Sequence, residues 1–327
     1  MDNIKYFKDD YIYDLETYKN TFTFAVVKAD RSVAYVFEVS PRKDNRKEMF
    51  QFLDYLKQTK KTLVGFNNLA FDYPIIHFIM KHRRFTPEQV YEEAQYIIET
   101  LKEDKFGSSI QTRFHHIRQK DLFKINHFDN KAKSTSLKLL EFNMKMDNLQ
   151  ELPFDPHTNL ADNQIDVLIK YNINDVIATL KFYYECYGSM ELREGLSESY
   201  GIDFTNMNDT KIGSEIFIQE IEKVKPNSCY KKKFNGQREI VQTHRSYIDI
   251  SKIIFPYIKF KRPEFQAILE WFKNQKITET NGVFSNILES DLGDVAKYAN
   301  MVTKKSKKMD TEPTEEQIIE FRKQIPL

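Results

Sequence analysis

The sequence predicts an α/β fold followed by a smaller, mainly helical C-terminal region. Three observations carry that prediction. The opening segment holds three short runs of β-branched and aromatic residues separated by polar turns. Stretches of helical periodicity and short apolar runs then alternate up to about residue 190. Beyond that point the pattern is less regular, and its periodic stretches are helical.

In chain order, Tyr11–Thr17, Phe22–Val27 and Ser32–Val39 are the predicted opening strands. Arg46–Gln58 carries Met49, Phe50, Phe52, Leu53 and Leu56 at helical spacing. Thr62–Phe66 is a short buried strand, and Asp72–His82 a helix with Pro74 early, where its missing N–H does least harm. Asn67 and Asn68 therefore lie at the C-terminal end of a strand, where sites in α/β sheets cluster. Pro87–Leu101 is predicted helical, Phe114–Phe123 a strand and Ser136–Met144 a short helix. Gln164–Tyr187 is an amphipathic helix with Ile165, Leu168, Ile169, Val176, Leu180 and Tyr183 on one side. Asp209–Lys223 and Pro263–Gln275 are further helices, Lys304–Pro313 is a charged linker, and Thr314–Gln324 is a last helix. The expected division is residues 1–192 and 193–327, with the change of character falling between 188 and 205.

Composition narrows the function classes. The chain is 41% hydrophobic and 30% charged, as in globular proteins. Its net charge of +1 gives no global signal for nucleic acid, although phosphate binding needs positive charge only locally. Two cysteines, Cys186 and Cys229, are too few for a disulfide framework and lack metal-ligand spacing. The opening MDNIKYFKDD has no apolar core of a signal peptide, and no apolar run approaches the roughly 20 residues that span a bilayer. A cytoplasmic protein with no membrane partner is expected.

Four acids stand out by their setting. Asp14 and Glu16 are two apart on a predicted strand, so both point to one face. Asp72 begins a helix just after a strand, and Asp175 lies in a long helix one turn after Tyr171. Four carboxylates brought together repel unless cations intervene, and hard divalent ions with oxygen ligands, Mg²⁺ or Mn²⁺, are the natural partners. Two ions about 4 Å apart stabilise both the attacking and the leaving oxygen in phosphodiester hydrolysis.

These residues form a pattern. Asp14-Leu-Glu16-Thr17 resembles the D-x-E motif of DnaQ-like exonucleases. Gly65-Phe-Asn67-Asn-Leu-Ala-Phe71-Asp72 resembles their second motif, and Tyr171-Asn-Ile-Asn-Asp175 matches Y-x3-D, the third motif of the DEDDy branch. Ser136-Leu-Lys-Leu-Leu140 resembles the (S/T)-L-x2-h motif of family B polymerase exonucleases. The resemblance spans about residues 8 to 190. His116 and Asp121 formally fit the H-x4-D alternative to the third motif, but they follow Asp72 too closely and lie in a strand-like stretch.

The resemblance implies an RNase H-like exonuclease fold, a mixed central sheet flanked by helices. It also implies a two-metal 3′→5′ exonuclease acting on single-stranded or frayed DNA 3′ ends and releasing nucleoside monophosphates, a proofreading activity of phage replication located in the host cytoplasm. Asp14 and Asp72 would hold the two ions, with Asp14 bridging. Glu16 and Asp175 would complete one site and, with Tyr171, position the attacking water. Asn67 and Phe71 would grip the terminal nucleotides, Leu15 and Thr17 would border the terminal sugar and base, and Ser136 and Leu137 would hold the incoming strand. Ser136 is equally placed to cap a helix, and Asn67 to make a turn.

The segment Gly201–Gly213 resembles, more loosely, the region after the exonuclease in polymerases of large phages. The paired aspartates of a polymerase palm are not found, so no DNA synthesis is expected from this chain alone. A split polymerase with a separate palm and thumb chain, a truncated polymerase, a binding or assembly subunit and a stand-alone nuclease all fit the sequence, as does RNA in place of DNA.

Overall fold

The aromatic and β-branched runs near the N-terminus form an antiparallel meander in the computed structural model, which describes residues 4–104, 107–130, 132–146, 149–232, 238–241, 248–274 and 276–277. Strand β1 spans Asp10–Tyr18, β2 Thr21–Lys28 and β3 Ala34–Val39. A tight turn at Lys19-Asn20 sets the β1–β2 register, with Thr17 opposite Phe22 and Asp14 opposite Ala25. On the other side of β1, β4 (Thr62–Gly65) and then β5 (Arg118–Asp121) add in parallel, giving the order β3-β2-β1-β4-β5. Parallel neighbours require long crossovers, and helices supply them. Helix α1 (Arg46–Gln58) leads to β4, and α2 (Asp72–Lys81) with α3 (Pro87–Glu103) lead to β5. The result is a five-stranded sheet flanked by helices, mixed as expected.

Both faces of the sheet are covered, and strand alternation sorts the side chains between them. Tyr11, Tyr13 and Leu15 of β1 pack with Phe24, Leu53, Ile76 and Ala94 in the larger core. Ile12, Ala25 and Val64 point the other way, onto Val176, Leu180 and Tyr183 of the long helix α6 (Asp162–Glu185), which α5 (Leu137–Asn143) adjoins. Each large apolar side chain fully buried here contributes about 1.5–3 kcal/mol. The odd-numbered face of β1 is thus apolar core, and the even-numbered face carries Asp14 and Glu16 beyond Ile12.

The predicted strand Phe114–Phe123 is shorter than expected. A 3-10 turn occupies Thr112–Phe114, β5 spans four residues, and α4 (Leu122–Ile125) starts at once. The buried Asp121 side chain accepts the Phe123 N–H at 3.0 Å and turns the chain. Helix α7 (Tyr187–Tyr200) was not predicted, since Gly188 and Gly195 interrupt its pattern; it follows α6 directly and ends at Gly201, whose φ of 66° makes the left-handed cap. The buried Arg193 fixes α7 and α8 (Asp209–Val224) by donating to the carbonyls of Ile125, Ser189 and Met207 and to the Asp209 carboxylate.

The chain divides into two compact units, Met1–Val224 and Lys225–Leu327. The second holds the predicted helix α9 (Pro263–Lys273) and two small antiparallel ladders, β6 (Tyr230–Lys232) with β7 (Arg238–Ile240), and β8 (Ile248–Asp249) with β9 (Lys276–Ile277). The predicted linker 304–313 and helix 314–324 lie outside the described residues. Among the described residues, no helix is long and apolar enough to cross a membrane.

Candidate active site

Strand alternation brings Asp14 and Glu16 to the α6 face of the sheet, where Asp175 of α6 meets them. One carboxylate oxygen from each of Asp14, Glu16 and Asp175 lies within 4.8 Å of the others. Asp72, the first residue of α2, stands beside this trio, next to the backbone of Leu15. Its charge is felt at both Asp14 and Glu16. The four acids noted in the sequence therefore occupy one site drawn from three separate elements.

Electrostatically, the site is unfinished with protein groups alone. Burial, followed by the charges of Asp72, Glu16 and Asp175, holds the Asp14 carboxyl well above its usual range. Glu16 is raised in the same way by burial and by Asp175 and Asp72. Burial pushes Asp72 up to about 7, with Asp121 adding to the effect. Asp175 is raised by burial, against the pull of Lys138 and of the neighbouring Tyr171 hydroxyl. Convergent, desolvated carboxylates with only oxygen donors fit a hard divalent cation, which relieves their repulsion.

Side chains around the trio orient it. Asn172 donates to Asp14 Oδ2 at 2.7 Å, and its carbonyl accepts the Thr23 hydroxyl at 3.2 Å. The Tyr171 hydroxyl lies beside the Asp175 carboxylate. Lys138 Nζ sits 3.4 Å from Asp175 Oδ1, 3.6 Å from Glu141 Oε1 and 4.7 Å from the centre of the Tyr171 ring. Lys138 is thus the ammonium nearest to the acids among the described residues, and Glu141 behind it is fully buried. Sequence reasoning missed Asn172, Lys138 and Glu141. Asn172 and Lys138 lie inside quoted motifs, but nothing in a single sequence marks those positions as pointing inward.

The loop between β4 and α2 is held by Asp121. Its carboxylate accepts the N–H of Asn67 at 2.9 Å and of Leu69 at 3.2 Å, and burial pushes it up to about 6. Asn67 takes φ of 60°, the turn geometry that asparagine tolerates. Phe71 is the N-cap residue of α2 and packs partly against the larger core. The Leu15 side chain is in that core, 4% exposed, so it is turned away from the acids and only its backbone adjoins Asp72. Thr17 is half-buried opposite Phe22. Ser136 caps α5 by accepting the Leu139 N–H at 3.2 Å, and Leu137 is half-buried at the first turn of α5. The formal alternative His116–Asp121 is split: His116 stacks on His77 at 4.7 Å, while Asp121 serves the Asn67 loop.

No family model matches the chain, and no curated protein matches it. Among solved structures, the chain is similar to the family B DNA polymerase from the hyperthermophilic archaeon Pyrobaculum calidifontis, at 15% identity with a TM-score of 0.45, over 97% of this chain and 45% of that one. The chain spans less than half the length of that polymerase.

Proposed function

We propose that this chain is a metal-dependent 3′→5′ exodeoxyribonuclease that removes nucleoside monophosphates from single-stranded or frayed DNA ends. The observation that carries the proposal is the convergence of Asp14, Glu16 and Asp175 within 4.8 Å, with Asp72 beside them. The order of the motifs along the chain supports it, and proofreading in phage replication is the setting that this resemblance favours.

Asp14, Glu16, Asp72 and Asp175 would hold two Mg²⁺ or Mn²⁺ ions, with Asp14 shared. When bound, such ions polarise the scissile phosphate and generate hydroxide from water near neutral pH. Asn172 keeps the Asp14 carboxylate in one orientation. Tyr171, beside Asp175 and faced by Lys138, would help to position the attacking water. The water oxygen bonds to phosphorus as the bond to the 3′ oxygen breaks, and that oxygen leaves with a proton from solvent. No protein group with a matched pKa is needed as base. Asn67 and Phe71, on the loop that Asp121 fixes, would grip the terminal nucleotides, Leu15 would contribute backbone and Thr17 would border the terminal sugar, while Ser136 and Leu137 would hold the strand.

The test is a gel assay on 5′-labelled single-stranded DNA with Mg²⁺ or Mn²⁺, with EDTA, and with Asp14→Ala and Asp175→Ala. A ladder shortening from the 3′ end is expected, with each variant slower by about two to three orders of magnitude. The same assay on RNA measures sugar preference. Absence of cleavage with either metal, while DNA is still bound, overturns the enzyme and leaves a binding or assembly subunit of a polymerase with a separate palm chain.

A further inference from the structure

A second cleft, of about 260 Å³, opens at the other end of β4 and β5 from the carboxylates. Its walls are the C-terminal end of α1, the start of β4, the residues leading into β5 and the segment around Asp203. Seven lining side chains are basic in type, and Asp203 is the acidic one.

Two of the cations are already matched. Lys61 pairs with Asp9, and Lys120 with Asp10 and Glu194. Lys57, Lys60 and Arg118 are exposed and have no carboxylate within ion-pair distance among the described residues. The dipole of α1 accounts for Lys57 in its last turn, but Lys60 lies beyond the cap and Arg118 is on a strand. The threonines Thr62, Thr112 and Thr205 are also part of the lining. His115 and His116 complete the wall: His115 meets Tyr73 edge-on and donates from Nε2 to the Ile110 carbonyl at 3.0 Å, and His116 stacks on His77. Both imidazoles are held below their usual range, chiefly by burial, and Lys57 and Lys81 add to the effect at His116, which marks the positive potential there.

We propose that this cleft is a phosphate-binding site, distinct from the carboxylate cluster, that takes a phosphate monoester. Three cations with no carboxylate at ion-pair distance among the described residues, beside threonine side chains, suit a compact dianion better than a carboxylate or a single phosphodiester charge. The monoester is carried by a free mononucleotide or by the 5′ end of a strand. This assignment does not depend on the exonuclease proposal.

The test follows the imidazole C–H resonances of His115 and His116 by NMR, assigned with single His→Gln variants. The full chain is kept in EDTA, so that no phosphate is held through the carboxylates. It is titrated with inorganic phosphate, deoxyadenosine monophosphate, and a short oligonucleotide with or without a 5′ phosphate, against sodium chloride at equal ionic strength. Phosphate-bearing ligands are expected to move both resonances with Kd of about 1 mM or tighter. The combined Lys57→Gln, Lys60→Asn, Arg118→Gln variant should weaken binding at least about tenfold with unchanged circular dichroism. Asparagine is chosen at 60 because Lys60 has φ of 55°. Equal response to phosphate and mononucleotide identifies a small-molecule site; response only to the 5′-phosphorylated oligonucleotide identifies a strand end. No movement, the same movement with chloride, or the same affinity in the triple variant overturns the proposal.

Discussion

Asn172 holds Asp14: its side-chain amide donates to Asp14 Oδ2 at 2.7 Å, and its carbonyl is in turn fixed by Thr23 on β2. A ligand carboxylate with one oxygen anchored presents the other in a set direction, and removing such a support lowers metal affinity by about 10–100-fold. Asn172→Ala is therefore expected to weaken Mn²⁺ binding by that factor, measured by calorimetry. Unchanged affinity would show that the contact is structural only.

Lys138 stands between Glu141, Asp175 and the face of Tyr171. Without a metal it is the cation that offsets buried negative charge. Lys138→Met should lower the stability of the metal-free protein by roughly 1–3 kcal/mol, since it strands buried carboxylates. Saturating Mg²⁺ should recover most of that loss, because a ligand that binds only the folded state raises its apparent stability. Thermal melts with EDTA and with Mg²⁺ separate the two conditions, and an equal loss in both would refute this role.

Asp121 accepts three backbone N–H groups, from Asn67, Leu69 and Phe123. Asp121→Ala leaves all three without a partner in a buried setting and should cost about 2–4 kcal/mol in urea denaturation. Asp121→Asn keeps one acceptor oxygen and should fall between that variant and the parent. A near-neutral Asp121→Ala would mean that water or another group satisfies the loop.

His77 is 6% exposed, its Nδ1 has no hydrogen-bond partner, and burial pushes its pKa down to about 4. The unfolded chain, with a histidine pKa near 6.5, then binds more protons than the folded one between about pH 4 and 6.5. Stability from this residue is full above 6.5 and declines as pH falls, by about 2 kcal/mol at pH 5. Asp121 acts in the opposite sense: with its folded value raised to about 6, its share is present at low pH and lost as pH rises through 6. His77→Phe should remove the acid-side decline relative to the parent, seen as a flatter difference in Tm between pH 5 and 7.5. A parallel pH profile in the variant would rule out His77 as the source.

What the sequence by itself determined is what depends on local periodicity. The period of two on β1 set Asp14 and Glu16 on one face and Leu15 on the other, and the helical period of α6 placed Tyr171 one turn before Asp175. The strand–loop–helix order put Asn67 and Asp72 at a strand's C-terminal end. Only the tertiary structure decided what crosses between elements: Asn172 of α6 on Asp14, Lys138 of α5 on Asp175 and Asp121 of β5 on the Asn67 loop. Those contacts join residues 37 to 158 positions apart, and no local pattern encodes such a pairing. The early end of β5 has the same cause, since the β propensity of the segment was overridden by a buried carboxylate that ends the strand at Asp121 and caps the next helix.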